Sequence, residues 1–480
     1  MASAPLSRTL AVANPRTGNH DYHIEPIDAP AVAALATRLR AAPPAWAALS
    51  LGSRLEVLGA FVTALTDNAA VLAHALSTDT GRRTISGVEI DGIKAMVARW
   101  TREAPRLIAG IEGVRTPTAL PGVTGGTRLR PYGLVGVISP WNFPLTLALI
   151  DAIPALVAGC AVIVKPSEVT PRFIKPLMMT IAGVPALASV LAVIEGDGIT
   201  GAALVDNVDY IAFTGSVATG RKVGEAAARA FIPASLELGG KDPMIVLASA
   251  DPEAAAAIAL RASVIANGQA CQSIERIYVA RATADRFLAA LVTAAEDVAI
   301  NHPDMGQGNI GPFIFAAQAD IVAGQIADAV ERGAAVLTGG KIIDHGGKWL
   351  RPTVVTGVTP DMALMRDETF GPVLPVTIFD SVDEAVTLAN AGSFGLSAAV
   401  IAGTVTEAEA VAVQLNAGAV SINDGALTSI IGDVEKTSFG LSGLGPSRMG
   451  ASGLLRFFRR QALLRQTGTP LPLSAYAERR

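Results

Sequence analysis

The hydrophobic rhythm of the chain changes twice. Between residues 31 and 112 apolar positions recur at steps of three and four, as in Val32-Ala33-Ala34-Leu35-Ala36-Thr37-Arg38-Leu39 and Leu55-Glu56-Val57-Leu58-Gly59-Ala60-Phe61-Val62. That spacing predicts helices that lay one stripe on a core. From residue 134 the texture becomes strand then helix. Leu134-Val135-Gly136-Val137-Ile138-Ser139 is an unbroken apolar run, the mark of a strand buried on both faces, and a helix is predicted over 145–158. Strands follow at 161–164, 190–194 and 210–213, then a helix over 217–231 and a strand ending at Glu237. Past Gly240 a second series begins. Strands are predicted at 244–247, 275–279, 335–337, 373–379, 398–401 and 419–422, with helices over 252–267, 282–300 and 316–332. Such alternation calls for parallel sheets covered on both faces, with ligands gathering at the carboxyl ends of the strands. The expected class is therefore α/β with two parallel units. The flanks differ: Asn14-Pro15-Arg16-Thr17-Gly18 predicts a turn between edge strands, and Pro and Gly between 116 and 130 predict an extended excursion.

Composition narrows the choices. At 480 residues and 50% hydrophobic the chain can fill two or three domains. A net charge of -4 and no Lys/Arg run leave no basic field, so neither nucleic acid nor a membrane surface is expected as a partner. The longest apolar passage, 145–164, is broken by Asp151, Pro154 and Gly159, so no membrane span is expected. Two cysteines, Cys160 and Cys271, cannot build a disulfide framework, and the start Met-Ala-Ser-Ala-Pro lacks a charged segment leading into an apolar core. A cytoplasmic setting is expected. Five histidines without ligand spacing argue against a metal.

Six short motifs carry the candidate chemistry. Cys271 sits in Asn267-Gly268-Gln269-Ala270-Cys271-Gln272-Ser273, and Glu237 in Leu236-Glu237-Leu238-Gly239-Gly240-Lys241. An ionised thiol is a strong nucleophile, and a carboxylate can act as general base if the fold brings both to one substrate. Asn142 lies in Ser139-Pro140-Trp141-Asn142-Phe143-Pro144, where the prolines restrict the backbone and the amide offers a donor for a developing oxyanion; alone it would read as a turn residue. Lys165-Pro166-Ser167-Glu168 follows a strand. There a carboxylate can accept ribose hydroxyls and would repel a 2′-phosphate, although a helix cap fits the same residues. Phe213-Thr214-Gly215-Ser216 opens a helix whose N–H groups suit a pyrophosphate, or simply forms a turn. Glu368-Thr369-Phe370-Gly371-Pro372 places a carboxylate and a ring before a strand. Cys160, without charged neighbours, reads as apolar filler.

With these motifs in this order, the chain resembles the aldehyde dehydrogenase superfamily from about residue 14 to 450. The resemblance implies two Rossmann-like parallel α/β domains and a small β oligomerisation element. It assigns 1–112 and 134–239 to an NAD-binding domain, 240–446 to a catalytic domain, and 113–133 with 447–480 to subunit contact in a homodimer or homotetramer. It implies Cys271 as nucleophile, Glu237 as general base, and Asn142 with the Cys271 N–H as oxyanion hole. Cofactor residues would be Ser139, Pro140, Trp141, Lys165, Ser167, Glu168, Phe213, Gly215, Ser216, Leu238, Glu368 and Phe370, the last two at the nicotinamide end. Glu168 favours NAD over NADP. The implied reaction turns an aldehyde into an acid through a Cys271 thioester; coenzyme A as acyl acceptor, a thiol esterase and a non-catalytic NAD-binding relative are the competing readings. The substrate is expected to be an apolar aldehyde, aromatic or medium-chain, because no arginine is clearly placed for a carboxylate tail. Asn423 and Phe439 either border its pocket or are structural. Two departures stand out: many members have lysine where Asp151 aligns and glutamate where Met449 aligns, which puts the proton path in question. Asp151 either serves in that path or caps a helix.

Overall fold

The computed structural model describes residues 8–478, so the Met-Ala-Ser-Ala-Pro start lies outside the described residues. Leu10–Ala13 and His20–Ile24 pair antiparallel across the expected turn, where Gly18 takes φ +70° and donates its N–H to the Asn14 carbonyl at 2.8 Å. Helices Leu51–Asp67, Ala69–Thr80 and Arg83–Ala109 follow, and the three-four spacing becomes a buried stripe in each, Leu58, Phe61 and Leu65 in the first. Among the described residues no single helix is long and apolar enough to cross a membrane.

The first large sheet runs in the order Gly443–Leu444, Ala234–Glu237, Tyr210–Thr214, Leu134–Ile138, Ala161–Lys165, Leu191–Val193. Its five longer strands are parallel, and Leu134–Ile138, Ala161–Lys165 and Tyr210–Thr214 are buried at every position. This is why each reads as continuous apolar sequence. The chain winds outward both ways from Leu134–Ile138, which puts the topological switch between that strand and Tyr210–Thr214. Open parallel sheets bind ligands at such a point, outside the carboxyl ends of the strands. Gly443–Leu444 returns from far along the chain to pair antiparallel with the Glu237 strand.

The second sheet has the order Ala335–Thr338, Thr353–Thr356, Val373–Phe379, Ile274–Ala280, Asp242–Val246, Ser397–Ile401, Ala419–Ile422 and is parallel except at its first pair. A third, small sheet joins Phe458–Gln466 to Val123–Pro131 and Thr116–Pro117, and the outer strand is almost wholly exposed.

Three helices depart from the sequence reading. The one expected over 145–158 is two, Pro144–Leu149 and Ala152–Ala158, because Pro154 has no N–H to give the Ile150 carbonyl and its ring crowds it. The one expected over 252–267 ends at Val264. Ala266, Asn267 and Gly268 then take φ of 54°, 62° and 68°, a tight left-handed turn that delivers the chain to Cys271. The one expected over 282–300 is Arg281–Glu296.

Candidate active site

The carboxyl ends of the first sheet meet the Cys271 loop of the second. Asn142 is buried, and its Nδ2 donates to the Gln269 carbonyl at 3.0 Å, two residues from Cys271. An amide nitrogen carries two N–H bonds, so one remains for a ligand. Two residues that sequence reasoning passed over fix this asparagine. Arg82 is buried and donates to the Asn142 carbonyl; burial lowers its pKa to about 10. Glu89 Oε2 accepts from Leu145 N and Thr146 N, both at 3.0 Å, and so caps the helix that follows Asn142-Phe143. Burial raises the Glu89 carboxyl to about 7. Its position on the buried stripe of Arg83–Ala109, beside Ile90 and Ile93, was the available clue.

The loop before Cys271 is pinned by its own amides. Asn267 Nδ2 donates to the Pro312 carbonyl at 2.7 Å and its Oδ1 accepts from Gly311 N at 2.8 Å, while Gln269 Oε1 accepts from Ile314 N at 2.9 Å. Cys271 is half-buried. Burial, then Asp242, Glu368 and Glu237, push its thiol up to about 12, while Lys436 pulls it down. Cys160 is fully buried beside the Phe457 carbonyl, the apolar setting expected of it.

Glu237 ends its strand with Gly215 N donating to its carbonyl at 3.1 Å and with Leu238 N held by Ser442 O at 2.9 Å. Its Oε2 accepts from Ser438 Oγ at 3.2 Å. The two glycines that follow are demanded by close approach: a Cβ at Gly239 would come within 2.5 Å of the Glu368 carboxylate, and one at Gly240 within 2.6 Å of the Cys271 carbonyl. Lys241 ties three motifs together. Its Nζ donates to Glu275 Oε2 at 2.8 Å and Thr369 Oγ1 at 2.7 Å, and Glu275 also accepts from Thr369 N and Phe370 N at 2.8 and 2.7 Å. This buried pair holds Phe370 at φ +53°, its ring T-shaped against Trp141 with centroids 5.4 Å apart. Nothing in the local sequence announced it.

The residues fit a nicotinamide dinucleotide. Lys165 is buried and its Nζ reaches Glu168 Oε2 at 3.3 Å, which steadies a half-exposed carboxylate at a strand end, where ribose hydroxyls would sit. Ser167 Oγ accepts from Val169 N at 3.2 Å. Ser216 caps Val217–Ala230 through Thr219 N at 3.3 Å, so its hydroxyl is partly committed, while the first turn and Gly215 face outward. Phe213 underlies Gly215, and Leu238 is packed under Gly220. Ser139 and Trp141 flank Pro140 beside the switch point; Ser139 is buried with an unpaired Oγ. Glu368 accepts from Gly240 N at 3.1 Å, and burial, with Glu275, raises it to about 8.

Asp151 does not cap a helix through its side chain. It is buried and accepts from Arg448 Nε at 3.2 Å, Arg448 Nη2 at 2.9 Å and Arg456. Burial alone would raise its pKa, but the two guanidiniums hold it below the ordinary value. Arg448, not its neighbour Met449, therefore faces Asp151. Asp151→Ala would leave two buried cations with no counter-ion, an expected cost of about 3–5 kcal/mol, read as a lower urea midpoint at unchanged m-value. Asn423 Oδ1 accepts from Ala402 N at 2.8 Å. Phe439 pairs with the Phe394–Gly395 bridge.

Residues 2–463 match the aldehyde dehydrogenase family. The chain is 39% identical over 90% of its length to a Mycolicibacterium smegmatis protein, 84% of which is covered, provisionally described as a succinate-semialdehyde dehydrogenase [NADP(+)]. It is 36% identical over 94% of its length to the 4,4′-diapolycopene aldehyde oxidase of Methylomonas sp, with 84% of that protein covered. The structure of PutA from Anabaena variabilis, provisionally described as an aldehyde dehydrogenase, superposes with a TM-score of 0.94 at 49% identity, over 97% of this chain and 99% of that one. This chain belongs to the aldehyde dehydrogenase family, and its parallel sheets are the family's Rossmann-like fold. It is an oxidoreductase of a family that uses NAD(P).

Proposed function

We propose that this enzyme oxidises an aldehyde to a carboxylic acid with NAD, using Cys271 as nucleophile and Glu237 as base. The observation that carries the reading is the approach of the Asn142 amide, from the first sheet, to within 3.0 Å of the Cys271 loop of the second. The Cys271 thiolate adds to the aldehyde carbon, and the new oxyanion is held by the free Asn142 N–H and the Cys271 backbone N–H. A bound nicotinamide supplies the hydride acceptor. Collapse of the adduct leaves a thioester on Cys271. Glu237 takes a proton from water, the hydroxide adds to the thioester carbon, and the C–S bond breaks to release the acid and the thiolate.

Lys165 and Glu168 hold the adenosine ribose in this reading, and the Glu168 carboxylate supports NAD over NADP. Glu368 and Phe370 border the nicotinamide end. The stretches 1–112 with 134–239, and 240–446, act as cofactor and catalytic domains. The three-stranded element, with 113–133 and 447–480, joins subunits of a dimer or tetramer in the cytoplasm; the exposed length of Phe458–Gln466 supports this.

The substrate is an apolar aldehyde. Among the described residues, Arg448 and Arg456 are committed to Asp151 and Arg82 to a carbonyl, which leaves none of these three for a carboxylate tail. Leu427, Ile430 and Ile431 present apolar side chains beside Thr428, whose carbonyl accepts from Lys436. A panel of benzaldehyde, octanal and succinate semialdehyde, each with NAD and NADP and followed by cofactor absorbance, tests this. The highest kcat/KM is expected for the apolar aldehydes with NAD. Preference for succinate semialdehyde with NADP would reverse both choices, and no reduction of either cofactor would refute the activity.

A further inference from the structure

The segment that carries Ser167 and Glu168 has little main chain to hold it. Residues 166–173 leave the strand Ala161–Lys165 and enter the helix Ile174–Ala182, and Pro166 and Pro171 have no N–H to give. Among the described residues no main-chain hydrogen bond ties this segment to either large sheet. Side chains hold it instead. Thr170 is buried and its Oγ1 donates to the Trp141 carbonyl at 3.2 Å, while the bond from Val169 N to Ser167 Oγ stays inside the segment.

Arg172 supplies the other anchor. Its backbone N–H donates to Asp79 Oδ2 at 2.7 Å and its Nε to Asp79 Oδ1 at 2.6 Å, so both carboxylate oxygens hold the same residue. Nη2 donates to Asp21, and the guanidinium lies 4.8 Å from the ring centroid of Tyr22. One side chain thus joins the strand His20–Ile24, the end of the helix Ala69–Thr80 and the segment with Glu168. Asp79 is buried, on a helix that Gly81 closes at φ +65°. That helix end is itself fixed, since Asn301 Nδ2 donates to the Gly81 carbonyl at 2.7 Å.

We propose that Asp79 and Arg172 are positioning residues for the cofactor: the pair sets where the Glu168 carboxylate stands, and so how tightly the adenosine ribose is held. This rests on the ribose role proposed above for Glu168. The Glu168 side chain is 42% exposed, and its bond to Lys165 Nζ at 3.3 Å steadies the charge without fixing the backbone beneath it. A carboxylate that accepts two ribose hydroxyls at once tolerates little displacement, because each bond it loses is one to a charged group. The backbone under Glu168 is held by Thr170 on one wall and by Arg172 on the other.

A double-mutant cycle on the full chain tests this, read as NAD affinity by calorimetric titration at a temperature where every variant is folded. Arg172→Met should weaken NAD about tenfold, which is what one lost hydrogen bond to a charged group is worth. It should raise KM for NAD and leave kcat little changed. In a Glu168→Ala background the same substitution should have little further effect, because the carboxylate it positions is gone. If Met unfolds the chain, Asp79→Asn, which keeps the shape and gives up the charge, carries the same expectation. Native affinity in Arg172→Met would overturn the proposal, whatever happens to the melting temperature. So would equal weakening with and without the Glu168 carboxylate, the mark of a pair that only supports the fold. Failure of the ribose reading looks different: Glu168→Ala by itself would then leave NAD affinity unchanged.

Discussion

Cys271→Ala should abolish aldehyde-dependent NADH production, a loss of roughly a thousandfold or more. Alanine removes one sulfur from a half-buried position and disturbs little else. The loop is held by Asn267 and Gln269, whose bonds to Gly311, Pro312 and Ile314 do not involve the thiol. The dinucleotide residues are also untouched, so NAD should still bind, and calorimetric titration separates a dead nucleophile from a lost cofactor site. Without the sulfur there is no covalent adduct from which hydride can leave, and the Asn142 amide has no oxyanion to hold. Full activity in this variant would refute the nucleophile. Cys160→Ala is the matched control: that sulfur packs against the Phe457 carbonyl within the first sheet's core, and its loss should cost some stability while leaving turnover intact.

The sheets were legible because burial on both faces forces an unmistakable pattern. Leu134–Ile138 and Ala161–Lys165 are buried at every position, and only apolar, largely β-branched runs satisfy that. The residues proposed to react could be singled out because each lies in a compact motif at a strand or helix end. The partners that hold those motifs together were not. Asp151 and Arg448 are 297 positions apart, and the turns and short bridges between residues 431 and 450 have no period from which to read direction, so nothing local singled out Arg448 as the partner. A clue did exist: an aspartate inside the apolar run 145–158 must find a cation or lose its charge. The Lys241, Glu275 and Thr369 node was hidden for the same reason, since local sequence states a side chain's chemistry but not which distant strand end it will meet.

Glu237→Gln should give one rapid turnover and then stall. The Glu237 backbone is fixed by Gly215 and Ser442, and glutamine is nearly isosteric, so its Oε1 can still accept from Ser438 Oγ, as Glu237 does at 3.2 Å. The geometry of the strand end should therefore survive. What glutamine cannot do is take a proton from water. Formation of the thioester depends on the Cys271 sulfur and on Asn142, neither of which the substituted amide would displace, so rapid mixing should show a burst of about one NADH per active chain. Hydrolysis then lacks its base, and the steady rate should fall by about 10²–10⁴-fold. The stalled species is a thioester, so mass spectrometry of the quenched protein should find the acyl group on the peptide that contains Cys271. Loss of the burst together with the steady rate would instead place Glu237 in the first half of the reaction, as the group that ionises the thiol. An unchanged steady rate would remove it from the chemistry altogether.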